Sequence, residues 1–238
     1  MTAVDEGRTS ESIAALIMDL QSVGLRLETT LETARKGGAG PSDSGLLGIE
    51  GVPVTVPPSD TSPYALRAED DGQGIYRDGI KIASVAGTAR PRFYDLETAD
   101  GVPYHQIALL HLDSLASTVV QACNYWGNPD QCGFCGIGLS LTSGATIAKK
   151  TPQMLAEVAL AAKELDGAID ATLTTGSSMA PDRGALYVAT CGHAVKEAAG
   201  LPVEIQFEPP RDLSVINQVL DMGIDALGIH IETFDPAV

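Results

Sequence analysis

Three of the four cysteines in this 238-residue chain lie within one short segment and could together bind a metal centre. Two residues separate Cys132 from Cys135, a short stretch separates both from Cys123, and Cys191 lies much farther along. Thiolates are the ligands that zinc and iron–sulfur clusters prefer. A structural zinc ion normally takes four protein ligands, and the fourth here would be Cys191 or His193, both in a predicted helix. Three cysteines with one open position fit a [4Fe–4S] cluster better, with zinc and unligated core thiols as the alternatives.

The composition predicts a folded cytoplasmic protein without affinity for polyanions. Fifteen Lys and Arg residues against 31 Asp and Glu residues give a formal net charge of −16, so we expect neither nucleic acids nor membranes as partners. Hydrophobic residues make up 44% of the chain, enough for a sizeable core. We see no stretch of roughly 20 apolar residues, and the acidic N-terminus is unlike a signal peptide. In a reducing compartment, cysteines are more often ligands or nucleophiles than disulfides.

The elements that must position the cysteines are predicted to be alternating strands and helices. Apolar runs predict strands at 115–122, 170–175, 203–208 and 226–233. One helix is predicted between each strand and the next, and the first of these helices follows the cysteine segment. The first helix is predicted to begin at Thr151 and Pro152 and to end at Gly167. Short strand–helix–strand connections imply parallel strands. The cysteine segment follows the first strand, so we expect it at the carboxyl edge of the sheet.

Polar and apolar residues alternate along the predicted strands, which indicates one helix-covered face and one polar face. In the third strand, Val203, Ile205 and Phe207 alternate with Glu204, Gln206 and Glu208. Strands of a parallel sheet covered on both faces would instead be apolar throughout. The pattern predicts an α/β fold, a partial (β/α) TIM-type barrel with a polar mouth, because barrel active sites lie at the carboxyl ends of the strands. A solvated sheet face is the alternative.

The N-terminal part of the chain has a different pattern from the rest. An amphipathic helix is predicted over 9–35, within a segment 1–36, and a Gly- and Pro-rich linker follows over 37–63. Short alternating runs over 64–112, with turns at Asp78-Gly79 and Asp100-Gly101, predict a small β-rich region. The barrel segment would then occupy 113–238.

The cysteine segment resembles the motif of the radical SAM superfamily. In that family three cysteines, spaced CxxxCxxC, follow the first strand of a partial barrel, and an aromatic residue precedes the third cysteine. This chain has Phe134 in that place but eight residues between Cys123 and Cys132. The resemblance covers roughly 112–238 and is strongest to the biotin synthase and lipoyl synthase branch. More narrowly, CNYWGNPDQCGFCGIGLSL resembles a bacterial family of radical SAM proteins encoded beside nitrilases.

This resemblance implies an enzyme that uses a [4Fe–4S] cluster and S-adenosylmethionine (SAM). The cluster would be held by Cys123, Cys132 and Cys135, and a reductant such as a flavodoxin or ferredoxin would supply its electron. Reductive cleavage of SAM would give a 5′-deoxyadenosyl radical, which would abstract hydrogen from a small-molecule substrate that the sequence does not identify.

The resemblance also implies residues that bind the cofactor. A Gly-rich segment at the end of the family's second strand contacts the methionine part of SAM, and its counterpart here is Thr174, Thr175, Gly176 and Ser177. The fourth strand of the biotin and lipoyl branch ends in N-x-D/E-T, which matches His230-Ile231-Glu232-Thr233 with His in place of Asn. His230 and Glu232 would therefore contact the ribose. Glu208 faces the same interior and is expected to contact cofactor or substrate.

Other features of the sequence limit this interpretation. The family's barrel usually has six strands, so a chain with four predicted strands is expected to be truncated after the fourth. Sulfur insertion would need a second iron–sulfur centre, and only Cys191 remains for it. Two alternatives therefore stay open: a zinc-binding structural or interaction protein built on Cys132, Cys135, Cys191 and His193, and a catalytically inactive fragment of a radical SAM enzyme.

Overall fold

The computed structural model describes residues 10–30, 46–87 and 90–231. The protein is a mixed α/β protein with a strongly curled six-stranded half-barrel sheet and a second, mixed sheet. The described residues divide into two compact units, an N-terminal unit that ends at Arg90 and a C-terminal unit that begins at Pro91. No helix in these described ranges is long and apolar enough to cross a membrane.

The N-terminal unit consists of one helix and the six-stranded sheet. Its elements are α1 (Ser10–Val23), β1 (Arg26–Leu27), β2 (Leu46–Ile49), β3 (Val52–Thr55), β4 (Tyr64–Glu69), β5 (Gly72–Arg77) and β6 (Ile80–Gly87). The strand order is β1-β4-β5-β6-β2-β3, in which only β1 and β4 pair in parallel. Buried residues of α1, such as Leu20, join the buried strand residues in one hydrophobic core.

The structure changes two expectations for this unit and confirms one. Helix α1 ends at Val23, well before residue 35, because Gly24 adopts a φ of 79° and the chain turns into β1; residues 31–35 lie outside the described part. The range 37–63, expected to be a linker, contains the β2–β3 hairpin, with a turn at Glu50 and Gly51. The expected turn at Asp78-Gly79 joins β5 to β6, and both residues have positive φ.

The C-terminal unit carries the second sheet and most of the helices. Its elements are β7 (Leu109–His111), β8 (Ser114–Thr118), α2 (Ile137–Thr142), α3 (Pro152–Asp166), β9 (Asp170–Thr174), α4 (Ala185–Ala199), β10 (Val203–Phe207), α5 (Ser214–Asp221) and β11 (Ala226–Ile229). The strand order is β11-β10-β9-β8-β7. Strands β8 to β11 run parallel, as predicted, and β7 pairs antiparallel with β8.

Helix α3 forms where the sequence predicts it because its caps are local. The Thr151 hydroxyl accepts a hydrogen bond from the Met154 N–H at 3.2 Å, and Pro152 occupies the first turn. Gly167 ends the helix with a φ of 73°. The predicted strands are longer than the observed ones, since β8 ends at Thr118 and β11 at Ile229.

The predicted alternation along the strands produces one buried and one polar sheet face. Ala171, Leu173, Val203, Ile205 and Phe207 are buried against residues of α3 and α4 in one core. Their neighbours on the opposite face are half-buried, and the register places Thr118, Thr174, Gln206 and Gly228 in one row across four strands. This polar face leads to the carboxyl ends of the parallel strands.

Candidate functional site

The three clustered cysteines lie in a loop of residues 123–136, the cysteine loop, which follows β8 at the carboxyl edge of the sheet. All three thiols are half-buried, and Phe134, the aromatic residue before the third cysteine, is 77% exposed. The loop is a succession of turns, in one of which the Cys135 N–H donates to the Cys132 carbonyl at 3.1 Å. The cysteines therefore lie close to the surface of the unit at the carboxyl edge.

Backbone hydrogen bonds tie the start of the cysteine loop to the segment after β9. The Gly176 N–H donates to the Val120 carbonyl at 3.0 Å, and the Asn124 N–H donates to the Ser177 carbonyl at 2.8 Å. A Cβ atom on Gly176 would lie 2.1 Å from the carbonyl oxygen of Ala122. Since no side chain fits there, glycine is what allows the predicted SAM segment to lie directly against the cysteine loop.

The three thiols are chemically suitable ligands for an iron–sulfur cluster, but they are not arranged around one common position. Three half-buried cysteines on one loop, which bind as thiolates, suit a soft metal centre. Within residues 10–30, 46–87 and 90–231, no three His, Cys, Asp or Glu side chains are arranged to hold a metal ion. Binding would therefore require the cysteine loop to rearrange around the cluster. Cys123, Cys132 and Cys135 remain predicted ligands.

The residues that a zinc site would need in addition lie in different surroundings. Cys191 is fully buried in α4, where desolvation raises the pKa of its thiol to about 12. His193, two residues later, is exposed, and its Nδ1 lies 3.0 Å from the Met222 carbonyl. Residues two apart in a helix point in different directions. This geometry does not favour a zinc ion shared by both residues and the cysteine loop.

The other residues predicted to bind SAM lie along the same edge of the sheet. The hydroxyls of Thr174 and Thr118 are 3.0 Å apart, and the Thr175 hydroxyl donates to the Gly176 carbonyl at 3.1 Å. His230 is exposed just after β11, with its Nε2 3.1 Å from Oε1 of Gln206. Glu232 lies outside the described residues.

Glu208 is the predicted site residue with the closest polar contacts. It follows β10, and its Oε1 accepts a hydrogen bond from the Tyr125 hydroxyl at 2.8 Å. The guanidinium Nε of Arg183 lies 3.6 Å from the same oxygen. The hydrogen bond to Glu208 is the main cause that raises the pKa of Tyr125, with smaller contributions from burial and from the charges of Glu208 and Cys123. Glu208 therefore connects the cysteine loop to the segment after β9.

Buried polar atoms without hydrogen-bond partners lie around this carboxylate. In the described part of the chain they are the hydroxyl of Ser178, Nε of Arg183 and Oε2 of Glu208. The remaining Arg183 contacts include a hydrogen bond from Nη1 to the Ser178 carbonyl at 3.2 Å. We define Tyr125, Ser178, Arg183 and Glu208 as the polar cluster. Unpaired buried polar atoms are rare and costly in proteins, so a group of them indicates a place where a ligand or water completes the bonding.

Sequence reasoning missed the roles of Tyr125, Arg183 and Lys150 in this region. Arg183 has no sequence signal, because its pairing with Glu208 depends on how two loops meet. Tyr125 joins this region through its hydrogen bond to Glu208, and the Trp126 ring lies so close to Gly138 that a Cβ there would be 2.3 Å from it. Lys150 was also missed, because nothing in the sequence distinguishes it from its exposed neighbour Lys149.

Lys150 supports the cysteine loop from inside the protein. It is fully buried, and its Nζ donates to the Thr146 hydroxyl at 2.6 Å and to Oε1 of Gln121 at 3.4 Å. Gln121 in turn donates to the Ile137 carbonyl at 3.2 Å, where α2 begins. The side chains thus connect the chain just before the cysteine loop to the chain just after it. Burial lowers the pKa of Lys150 to about 7.

No protein-family model, curated protein or solved structure matches this chain.

Proposed function

We propose that this chain is a radical SAM enzyme whose C-terminal unit is a partial (β/α) barrel of the TIM type. One observation carries the proposal: the three-cysteine loop follows the first of four parallel strands and lies directly against the Gly176 segment. In α/β proteins the carboxyl ends of parallel strands are where ligands bind. The cysteine motif therefore lies at the edge of the sheet where ligands bind in this class of fold.

Cys123, Cys132 and Cys135 would hold a [4Fe–4S] cluster that leaves one iron for SAM. When bound, this pair would supply the electron that cleaves SAM reductively and the 5′-deoxyadenosyl radical that takes hydrogen from the substrate. A flavodoxin or ferredoxin is the expected electron donor. Sulfur insertion is not part of the proposal, because Cys191 is buried in the core and cannot belong to a second cluster at this edge.

The task of the chain's own residues is to bind and orient these groups. The predicted SAM segment, Thr174 to Ser177, offers hydroxyl and backbone groups beside the cysteine loop. His230, with Gln206 as its neighbour, offers a polar contact at the end of β11. Glu208 follows β10, which lies between β9 and β11, and it would contact either the cofactor or the substrate. Orientation of this kind aligns the hydrogen donor with the radical.

Anaerobic reconstitution with iron and sulfide tests the proposal directly. We expect about four irons and four sulfides per chain and a broad absorption near ~400 nm. Alanine at Cys123, Cys132 or Cys135 should abolish or severely deplete the iron, whereas Cys191→Ala, the matched control, should leave it unchanged. Stoichiometric zinc without this absorption, or equal loss of metal from all four variants, would contradict the proposal.

A second measurement tests the enzyme assignment after the cluster is established. Reconstituted protein should convert SAM to methionine and 5′-deoxyadenosine under strong reduction. His230→Ala should weaken SAM binding by about 1–3 kcal/mol through the loss of a hydrogen bond. Glu204 already accepts a hydrogen bond from Gln206 through its Oε1 at 2.8 Å. The Glu204→Gln variant is therefore the control, and it should bind SAM normally. An intact cluster that never yields 5′-deoxyadenosine, with any candidate substrate, would leave a cluster-binding protein without this activity.

A further inference from the structure

The polar cluster combines one carboxylate and one guanidinium, so its formal charge is zero. Nε of Arg183 lies 3.6 Å from Oε1 of Glu208, and the two side chains are 14% and 26% exposed. A binding partner with a full charge of either sign would be attracted by one of these groups and repelled by the other. The pair therefore favours a neutral polar group over an anion or a cation.

The unpartnered atoms define which hydrogen-bonding groups such a ligand needs. Oε2 of Glu208 is an acceptor and requires an N–H or O–H donor, while Nε of Arg183 is a donor and requires an oxygen. The Ser178 hydroxyl can donate or accept. A carboxylate lacks the donor, and an ammonium lacks the acceptor. A primary carboxamide carries both groups side by side in one plane.

We propose that the polar cluster binds a primary carboxamide group of the substrate, with the amide N–H₂ on Glu208 and the amide oxygen on Arg183. As a substrate subsite this rests on the proposed function, but binding itself needs neither cluster nor SAM. Ser178 then contributes a third hydrogen bond. A site built to hydrogen-bond both halves of an amide discriminates strongly against analogues that lack one half, because its own buried groups stay unpaired.

The location of the polar cluster fits a substrate rather than a structural role. Its members come from the segments that follow three neighbouring parallel strands, β8, β9 and β10. Tyr125 belongs to the cysteine loop and donates to Oε1 of Glu208 at 2.8 Å, so that only Oε2 is left for a ligand. Since Oε2 and Nε are themselves shielded from solvent, neighbouring side chains must shift when a ligand enters.

Size-matched small probes test the assignment on the full chain without iron or sulfide. Propionamide, propionate and 1-propanol would be titrated into ¹⁵N-labelled protein, and the Arg183 Nε–H resonance, assigned by its loss in Arg183→Lys, would be followed by NMR. We expect propionamide to shift this resonance with at least about tenfold higher affinity than the other two probes. Equal or tighter binding of propionate or 1-propanol, or no shift with any probe up to its solubility limit, would overturn the proposal.

Variants separate the charge argument from general damage to the fold. Glu208→Gln makes the cluster cationic, so the preference should reverse from propionamide to propionate. Glu204→Gln, on the same face of β10 but outside the polar cluster, should keep the wild-type preference. Backbone resonances elsewhere report whether each variant is folded. Reversal in Glu204→Gln, or an unchanged preference in a folded Glu208→Gln protein, would refute the amide subsite. A failed reconstitution would affect only the radical SAM proposal.

Discussion

Replacing Lys150 by methionine should remove a cost of folding that depends on pH. The ammonium of Lys150 is fully buried, and burial lowers its pKa from 10.5 to about 7. The neutral amine has two N–H bonds, which match the two acceptors on Thr146 and Gln121. Above about pH 7, Lys150 therefore loses its proton in the folded protein, whereas it stays protonated in the unfolded chain.

The size and sign of the effect follow from this difference in pKa. Below pH 7 both states are protonated, and the full cost of the buried ammonium opposes folding. Between pH 7 and 10.5 the unfolded chain binds one proton more than the folded protein, so the free energy of unfolding rises with pH. Each pH unit contributes about 1.4 kcal/mol, which gives a gain of about 2–3 kcal/mol between pH 6 and pH 9.

Urea unfolding of wild type and Lys150→Met at pH 6 and pH 9 measures this gain as a double difference. Methionine leaves Thr146 and Gln121 without a donor, at a cost of about 1–3 kcal/mol that does not vary with pH. Only the pH-dependent part belongs to the lysine charge, and it should favour wild type at pH 9 relative to pH 6. Lys149→Met, at the exposed neighbouring lysine, is the matched control and should show little change with pH.

A double difference near zero, or one that favours wild type at the lower pH, would refute the reasoning. Either result would mean that the buried amine is charged in the folded protein and finds a compensating partner. The same experiment reports on the cysteine loop, because Lys150, Thr146 and Gln121 connect the chain segments on both sides of it.

Three further predictions concern particular contacts. Gly176→Ala should destabilise the protein by about 1–3 kcal/mol in urea unfolding, because its Cβ would meet the Ala122 carbonyl at 2.1 Å; Gly133→Ala, with open space around it, should not. Thr151→Ala should cost about 1 kcal/mol through loss of the helix cap, whereas Thr151→Ser should retain most of it. Glu208→Gln should lower the pKa of Tyr125 towards its ordinary value of 10, as measured by ultraviolet titration, and an unchanged pKa would contradict the hydrogen bond.

The parts of the fold that sequence reasoning predicted well are those whose signals are local. The caps of α3 act within one turn of the helix, so Thr151 and Gly167 fix its ends without help from the rest of the structure. The alternation along β10 is equally local, because successive residues of a strand point to opposite faces. The predicted alternation is observed for Glu204 and Gln206, which are the half-buried residues between the buried ones of β10.

The parts that sequence reasoning did not predict depend on contacts between distant segments or on weak turn signals. The β2–β3 hairpin did have a signal, since Glu50-Gly51 is a two-residue turn between apolar runs, but the surrounding glycines and prolines concealed it. The β7–β8 hairpin had none, because Leu112 turns the chain with a φ of 60°, a conformation that leucine rarely adopts. Pairing of Arg183 with Glu208 likewise depends on the approach of two loops.

The backbone at Arg183 indicates why that position carries an arginine. Its φ of 56° lies in the left-handed region, which costs a residue with a side chain about 1–2 kcal/mol. Glycine would adopt the same conformation without this cost, as Gly184 does next to it with a φ of 96°. The contacts of the arginine side chain with Ser178 and Glu208 must therefore offset the strain. The strained backbone holds the Arg183 cation beside the Glu208 carboxylate, and buried atoms of both side chains lack hydrogen bonds. Such an arrangement is expected where a ligand binds.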